Sequence, residues 1–212
     1  AGRNAIIRTS PTCIVACNLT KMLTEKQKAD FSSIRVEIID INILAPSFIR
    51  KLNRFGYLFQ NTTRHHMFEE FVALRYMENG LILHLTNLDD DSSNFSFRSV
   101  AKEINRTHKD QKKRDRLNTL LKNYRRDLNN LKINHRNYRI AHLNYSEDLN
   151  LDEFLSFDKE LYPLIKSANS IGDFLWGEKI VYGFKLGTYE GILDFRQLTE
   201  NLKVDFGAEK GF

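Results

Sequence analysis

The sequence predicts an all-α protein, a helical bundle of five to seven helices that folds as a single domain. Residues 20–170 contain only two glycines and two prolines, so long helices can form there without interruption. Apolar residues recur every three or four positions along most of this stretch, which is the spacing of one helix face. The composition is 42% hydrophobic with 15 Phe and 8 Tyr, which is enough for a substantial core.

The first predicted helix follows an irregular segment, residues 1–22. Thr24 is placed to cap this helix, with Gln27 three residues later as in a capping box. The run 36–41 has the composition of a strand but lacks flanking turn residues, so we assign it to the helix. We expect Pro46 to kink or end the helix before it continues. The apolar face consists of Phe31, Ile34, Ile38, Ile41 and Leu44, continued by Phe48, Leu52, Phe55 and Phe59.

Four more helices are predicted between residues 61 and 144. The run 61–63 caps a helix that extends to Leu88, and the polar run Asp89–Ser93 forms a loop. The other predicted helices are a short one from Phe97 to about Asn105, a basic one over about 109–131, and one over about 132–144. An aromatic stripe that crosses the first two helices is expected in the core; it comprises Phe48, Phe55, Phe59, Phe68 and Phe71.

A further helix is predicted after Asn150, which forms a capping box with Glu153. This helix continues past Pro163 towards Trp176. The glycines beyond it predict a looser C-terminal tail that ends in a short helix, 193–202. The predicted organisation is an irregular segment over 1–22, a helical bundle over 23–170, and a C-terminal helical extension packed on the bundle over 171–212.

Positive charge is concentrated in one part of the chain. Residues 105–139 carry twelve Lys and Arg against three Asp, a local net charge of +9, whereas the whole chain has +5. A localised field of this sign favours a polyanion such as RNA or DNA, or an acidic partner. The alternative is an ordinary solvated helix face, which is the common use of charge runs.

Cysteine usage and hydropathy exclude several classes of protein. Cys13 and Cys17 have no second pair, so they form neither a disulfide framework nor a zinc site. Free thiols of this kind suit a reducing cytosol. No apolar stretch approaches the roughly 20 residues that a membrane helix needs, and the region around the cysteines lacks the core of a signal peptide. We therefore expect a cytoplasmic protein without membrane partners.

The most chemically pointed segment is Arg136-Asn137-Tyr138-Arg139-Ile140-Ala141-His142. Arginine is a permanently charged, forked phosphate donor, and histidine exchanges protons near neutral pH. On a helix, His135, Arg139 and His142 share one face. Arg136 lies roughly 120° around the helix from His142, so the two would converge on one phosphate only across a twofold axis between two copies.

Two acidic or histidine-containing groups contain metal-ligand residue types but lack the pattern of a metal site. His65 and His66 with Glu69 and Glu70 lack a third ligand, so helix-terminal salt bridges are the expected use. The run Asp89–Asp91 lacks the spacing and the glycine of an EF-hand loop, and we expect it to end a helix in solvent. No metal and no cofactor are expected.

The phrase Arg-Asn-x-Arg-x-Ala-His over residues 136–142 resembles the R-x₄₋₆-H signature of the HEPN superfamily, here as R-x₅-H. Members are all-α proteins, many of them metal-independent ribonucleases, and the phrase is especially similar to the abortive-infection branch. The order of predicted helices before the motif agrees, so the resemblance covers roughly residues 20–170. Asn144 stands where some toxin members carry a tyrosine.

The resemblance implies a metal-independent endoribonuclease of prokaryotic abortive infection or toxin–antitoxin defence. His142 would be the general acid and base, Arg136 the phosphate stabiliser in a dimeric cleft, and Asn137 would orient His142 or the phosphate. The implied partners are RNA, a second copy of the chain and a cognate antitoxin. The alternative is a non-catalytic RNA-binding or protein-interaction helical dimer. The predicted nucleic-acid contacts are Arg139, Arg125, Arg126, Lys132 and His135.

Overall fold

The computed structural model describes residues 22–133 and 154–204, and the prediction of an all-α bundle is confirmed for them. A π-helical turn, Phe157–Leu161, leads into the sixth α-helix, and an antiparallel hairpin of β1 (Tyr182–Leu186) and β2 (Tyr189–Leu193) follows it. The described α-helices are α1 (Glu25–Asp30), α2 (Ser32–Asn61), α3 (Arg64–Asn87), α4 (Phe97–Thr107), α5 (Gln111–Leu131), α6 (Tyr162–Trp176) and α7 (Phe195–Asn201).

The start of the bundle follows most of its local sequence signals, but the helix predicted from Thr24 onwards is divided at Phe31 into α1 and α2. Thr24 and Gln27 form both hydrogen bonds of the predicted capping box, and Thr63 caps α3. The run 36–41 is helical, as expected. Of the two outcomes expected at Pro46, an end of the helix does not occur, because α2 continues through this residue to Asn61. Pro46 is buried against neighbouring elements, and this packing offsets the backbone hydrogen bond that proline lacks.

Helices α2 and α3 form an antiparallel pair. Glu37 of α2 contacts His84 near the end of α3, whereas Lys51 of α2 contacts Glu70 near its start. Helix α6 packs on α2 through a buried pair of amides, in which Asn42 Nδ2 donates to Asn169 Oδ1 over 2.8 Å and Asn169 Nδ2 donates back over 2.9 Å. The reciprocal bonds satisfy both side chains inside an otherwise apolar interface.

The aromatic stripe is buried only in part, which corrects the expectation that all of it lies in the core. Phe48 is fully buried, and Phe55 packs against the core from its edge. Phe71 is partly buried, with its ring centre 6.3 Å from that of Phe55 and 5.5 Å from that of Phe154. Phe59 is 53% exposed and Phe68 is 63% exposed. Helical spacing identifies the apolar face of a helix, but it does not say how far along the helix a neighbour covers that face.

The looser tail predicted after α6 is a β-hairpin instead. Gly187 takes a left-handed backbone, φ 61°, in the turn between the strands. The ring of Phe184 lies directly over Gly191, where a Cβ atom would come within 3.0 Å of it. The short helix predicted over 193–202 is present as α7, capped by Asp194. Helix α6 spans the 170–171 boundary drawn from the sequence.

Gly172 of α6 packs closely against Ile38 of α2 and against Ile180. An added Cβ would lie 2.6 Å from Cδ1 of Ile38 and 2.9 Å from Cδ1 of Ile180. We expect Gly172→Ala to lower the free energy of unfolding by about 1–2 kcal/mol, because crowding outweighs the better helix propensity of alanine. Urea denaturation measures this change. Gly183→Ala is the matched control, since no atom lies within 4 Å of its added Cβ; equal effects of the two variants would contradict the packing argument.

Candidate nucleic-acid interface

The motif itself lies outside the described residues. Arg136, Asn137 and His142, together with Arg139 and His135, belong to residues 134–153, so their predicted roles stay predictions. The predicted helix over 132–144 and the capping box of Asn150 and Glu153 fall there as well, apart from residues 132 and 133. The structure does show how the chain is held on either side of this segment.

The N-terminal flank is fixed by Lys132, which directly follows α5. Its Nζ donates to the backbone oxygen of Asp89 over 2.7 Å and to Oδ2 of the same residue over 2.9 Å. Asp89 is only 2% exposed. The expectation that this aspartate ends α3 in solvent is therefore wrong, because cations from other elements enclose it.

Three cations converge on the Asp89 carboxylate. Besides Lys132, Arg98 of α4 donates from Nε over 3.1 Å, and Nε of Arg125 on α5 lies 3.5 Å away. Arg98 also pairs with Asp91. Burial would raise the pKa of Asp89, but the hydrogen bonds and positive charge of Lys132 and Arg98 outweigh it, so this pKa lies below its ordinary value. The ionised carboxylate thus joins α3, α4 and α5.

The C-terminal flank is fixed by a second buried carboxylate, which lies on α3. Glu78 is fully buried and accepts a hydrogen bond of 2.6 Å from the backbone N–H of Leu155. Arg75 donates to its other oxygen over 3.0 Å, and the Arg75 guanidinium lies 4.3 Å from the centre of the Phe154 ring. Glu78 lies on α3 and Asp89 lies in the turn that follows this helix, eleven positions later in the chain.

An open groove of about 460 Å³ lies between α4 and α5, beside the Asp89 cluster. Its cations are Arg98 and Lys102 on α4 and Lys122 and Arg125 on α5. Towards its other end, Asn105 and Asn118 exchange hydrogen bonds of 3.2 and 3.4 Å across the two helices. Sequence reasoning selected Arg125 from this group, and the α4 cations were missed because they precede the basic helix.

Other cations of α5 serve the bundle. The guanidinium of Arg116 lies 4.9 Å from the ring centre of Phe174 on α6, and Arg114 donates to the backbone oxygen of Asn105 over 2.9 Å. Arg126, a predicted nucleic-acid contact, is 73% exposed at its side chain and pairs with the adjacent Asp127 over 2.9 Å. The positive charge of this helix is therefore divided between packing and exposed surface.

His84 is a histidine that the sequence analysis did not single out. Its Nδ1 lies 2.5 Å from a carboxylate oxygen of Glu37, which ties α3 to α2. The hydrogen bond to Glu37 raises the pKa of His84, with further support from the charges of Glu37 and Asp40, and burial opposes this effect. The Glu37–His84 contact therefore links α2 to α3, and it is not part of the groove between α4 and α5.

Within residues 22–133 and 154–204, no three His, Cys, Asp or Glu side chains are grouped to hold a metal ion. His66 instead lies 3.6 Å from Glu69, in the kind of helix-terminal pair expected from the sequence. No helix in the described part of the chain is both long and apolar enough to cross a membrane.

Comparisons of the chain with protein-family models, curated proteins and solved structures gave no match.

Proposed function

We propose that the protein is a cytoplasmic, metal-independent endoribonuclease of the HEPN type, acting in prokaryotic abortive infection or toxin–antitoxin defence. The observation that carries the proposal is the R-x₅-H phrase of Arg136 and His142, which begins four residues after Lys132. Lys132 belongs to the buried cluster that joins three helices around Asp89. A rigid, positively charged support next to a motif of this kind suits a phosphodiester substrate.

The chemistry follows from the substrate, because RNA carries its own nucleophile. His142 would remove the proton of the 2′-OH, whose oxygen then bonds to phosphorus, and the bond from phosphorus to the 5′-oxygen breaks. The leaving 5′-oxygen takes up a proton, which gives a 2′,3′-cyclic phosphate and a 5′-hydroxyl. Arg136 from each of two copies would neutralise the charge that develops on the phosphate, and Asn137 would orient His142 or the phosphate.

The described cations support different parts of this proposal. Arg125 keeps 49% of its side chain exposed beside Asp89, so it can contact a phosphate from that position. The Lys132 side chain is 21% exposed and bound to Asp89, which supports a positioning role for it. The proposal also includes contacts of RNA with Arg126, Arg139 and His135. Its other proposed partners are a second copy of the chain and a cognate antitoxin.

Incubation of the purified protein with labelled single-stranded RNA in excess EDTA tests this function. We expect cleavage to 2′,3′-cyclic phosphate ends, and a loss of at least about 100-fold in rate for His142→Ala and for Arg136→Ala. His66→Ala is the matched control, because His66 lies on the surface of α3, and it should cleave like the wild type. Equal rates for His142→Ala and the wild type would refute the assigned chemistry.

The groove between α4 and α5 favours a second candidate, a non-catalytic RNA-binding or protein-interaction helical dimer. Four cations line that groove whether or not a reaction occurs next to it. In this case His142→Ala would bind RNA as tightly as the wild type, and neither protein would cleave it. Retained binding with no cleavage by the wild type would therefore favour this candidate.

A further inference from the structure

We infer that the groove between α4 and α5 binds the backbone of single-stranded RNA, with Lys102 and Lys122 as its main phosphate contacts. The choice of RNA rests on the proposed function, whereas the location rests on the described side chains alone. Neither lysine was among the predicted nucleic-acid contacts. The groove therefore adds a binding surface outside the motif to the proposed nuclease.

The two lysines are exposed cations on opposite walls of the groove. Both side chains are exposed and line it, and neither forms an ion pair with any residue of the described ranges. The two arginines of the groove are already held by aspartates, Arg98 by Asp89 and Asp91 and Arg125 by Asp89. Lys102 and Lys122 are thus the cations whose counterions a polyanion would displace at the smallest cost.

The wall geometry suits a backbone with regularly repeated charge. Arg98 and Lys102 are four residues apart on α4, and Lys122 and Arg125 are three apart on α5. Such pairs lie on one face of a helix with Cβ atoms about 5–6 Å apart, so each wall presents two neighbouring cations. Arg98 and Arg125 both lie at the Asp89 end, so a strand that runs along the groove would pass the two arginines and then the two lysines.

Two features favour RNA over an acidic protein. Asn105 and Asn118 place amide donors and acceptors at one end of the groove, and both side chains are exposed, so their mutual bonds can exchange for bonds to bases. At the other end of the groove, Asp91 and Arg98 are lining residues. Phe95 is 54% exposed in the part of the chain that joins them. Phe95 is not a lining residue of the groove, but its place in the chain lies between two residues that are, and an exposed aromatic side chain can stack on an unpaired base.

The groove also leads towards the motif. Arg98 and Arg125 belong both to the groove and to the Asp89 cluster, and Lys132 binds the opposite oxygen of the same carboxylate. A strand in the groove would therefore leave it next to Lys132, four residues before Arg136.

The proposed ligand is a single strand because its bases are unpaired and accessible. An A-form duplex instead presents its shape and its 2′-hydroxyls across a wide minor groove.

Fluorescence anisotropy tests the groove, with a labelled single-stranded RNA in EDTA and His142→Ala as the background that prevents cleavage. In that background we expect Lys102→Glu with Lys122→Glu to weaken binding by about tenfold or more, and to lower the salt slope of log Kobs by about 1.4. Lys26→Glu with Lys112→Glu is the charge-matched control, because both lysines are exposed and neither lines the groove. Phe95→Ala should weaken single-strand binding and leave the salt slope unchanged.

The outcomes separate the groove from the proposed reaction. Equal loss in the two double variants, tighter binding of a duplex of the same sequence, or equal competition by polyglutamate would overturn the groove assignment. If the wild type cleaves RNA and the Lys102 and Lys122 reversals change neither cleavage nor binding, the groove assignment is wrong and the proposed nuclease activity stands. If the wild type binds RNA through the groove but does not cleave it, the groove assignment stands and the proposed nuclease activity is wrong.

Discussion

Glu78→Ala is expected to lower the free energy of unfolding by about 3–5 kcal/mol, because it removes one partner of a buried ion pair. The wild-type carboxylate has no exposed surface, and it receives hydrogen bonds from Arg75 and from the backbone N–H of Leu155. Without it, the N–H of Leu155 and the largely buried guanidinium of Arg75 lose a charged acceptor. The loss is a large share of the 5–15 kcal/mol that typically stabilises a domain.

Urea denaturation followed by circular dichroism measures the change as a shift of the midpoint at an unchanged slope. Glu78→Gln keeps an oxygen for Leu155 and removes the charge that faces Arg75, so a smaller loss of about 1–2 kcal/mol is expected, and this variant stays measurable if the alanine variant does not fold. Glu69→Ala is the control on the same helix, with a side chain that is 77% exposed. A Glu78 variant as stable as the Glu69 variant would show that the buried carboxylate contributes nothing.

Local signals account for what the sequence predicted correctly about the fold. The capping box of Thr24 and Gln27 is complete within four residues, and the stripe of Leu117, Tyr124 and Leu128 repeats at helical spacing within one helix. Such features depend on neighbours in the chain, so they can be derived without knowing the tertiary structure. The same reasoning placed Val36 to Ile41 on a helix despite its strand-like composition.

The features that the sequence did not predict depend on distant residues. Asp89 looked like part of a solvated acidic run, but it is buried by Lys132, 43 positions away, and by Arg98 on another helix. Glu78 binds Leu155 across 77 positions. The groove likewise exists only because α4 lies beside α5, and the pattern of the basic helix alone pointed to Arg125 and not to Lys102. No local pattern carries this information.

The largest electrostatic prediction concerns Asp89. We expect Asp89→Asn to lower the free energy of unfolding at pH 7 by about 2–3 kcal/mol, since it removes the charge that holds Lys132, Arg98 and Arg125 together. The value exceeds that for Glu78→Gln because three cations, and not one, lose their counter-charge. It stays below that for Glu78→Ala because these cations keep some exposure and can turn to water. Lys122→Ala is the control, as Lys122 lines the same groove without an ion pair to a described residue.

The pH dependence of this difference identifies the ionised carboxylate as its cause. The pKa of Asp89 in the folded protein lies below its ordinary value of 3.8, so the folded state binds its proton less readily than the unfolded state. The stabilisation is therefore complete above about pH 4 to 5, and it is lost as the pH falls below 3.8 towards the folded pKa. Urea denaturation at pH 7, 5, 4 and 3 should show a constant difference between wild type and Asp89→Asn down to pH 5, and a shrinking one below pH 4. A difference that stays constant to pH 3 would mean that the amide disturbs packing, and that the charge of Asp89 is not what joins the three helices.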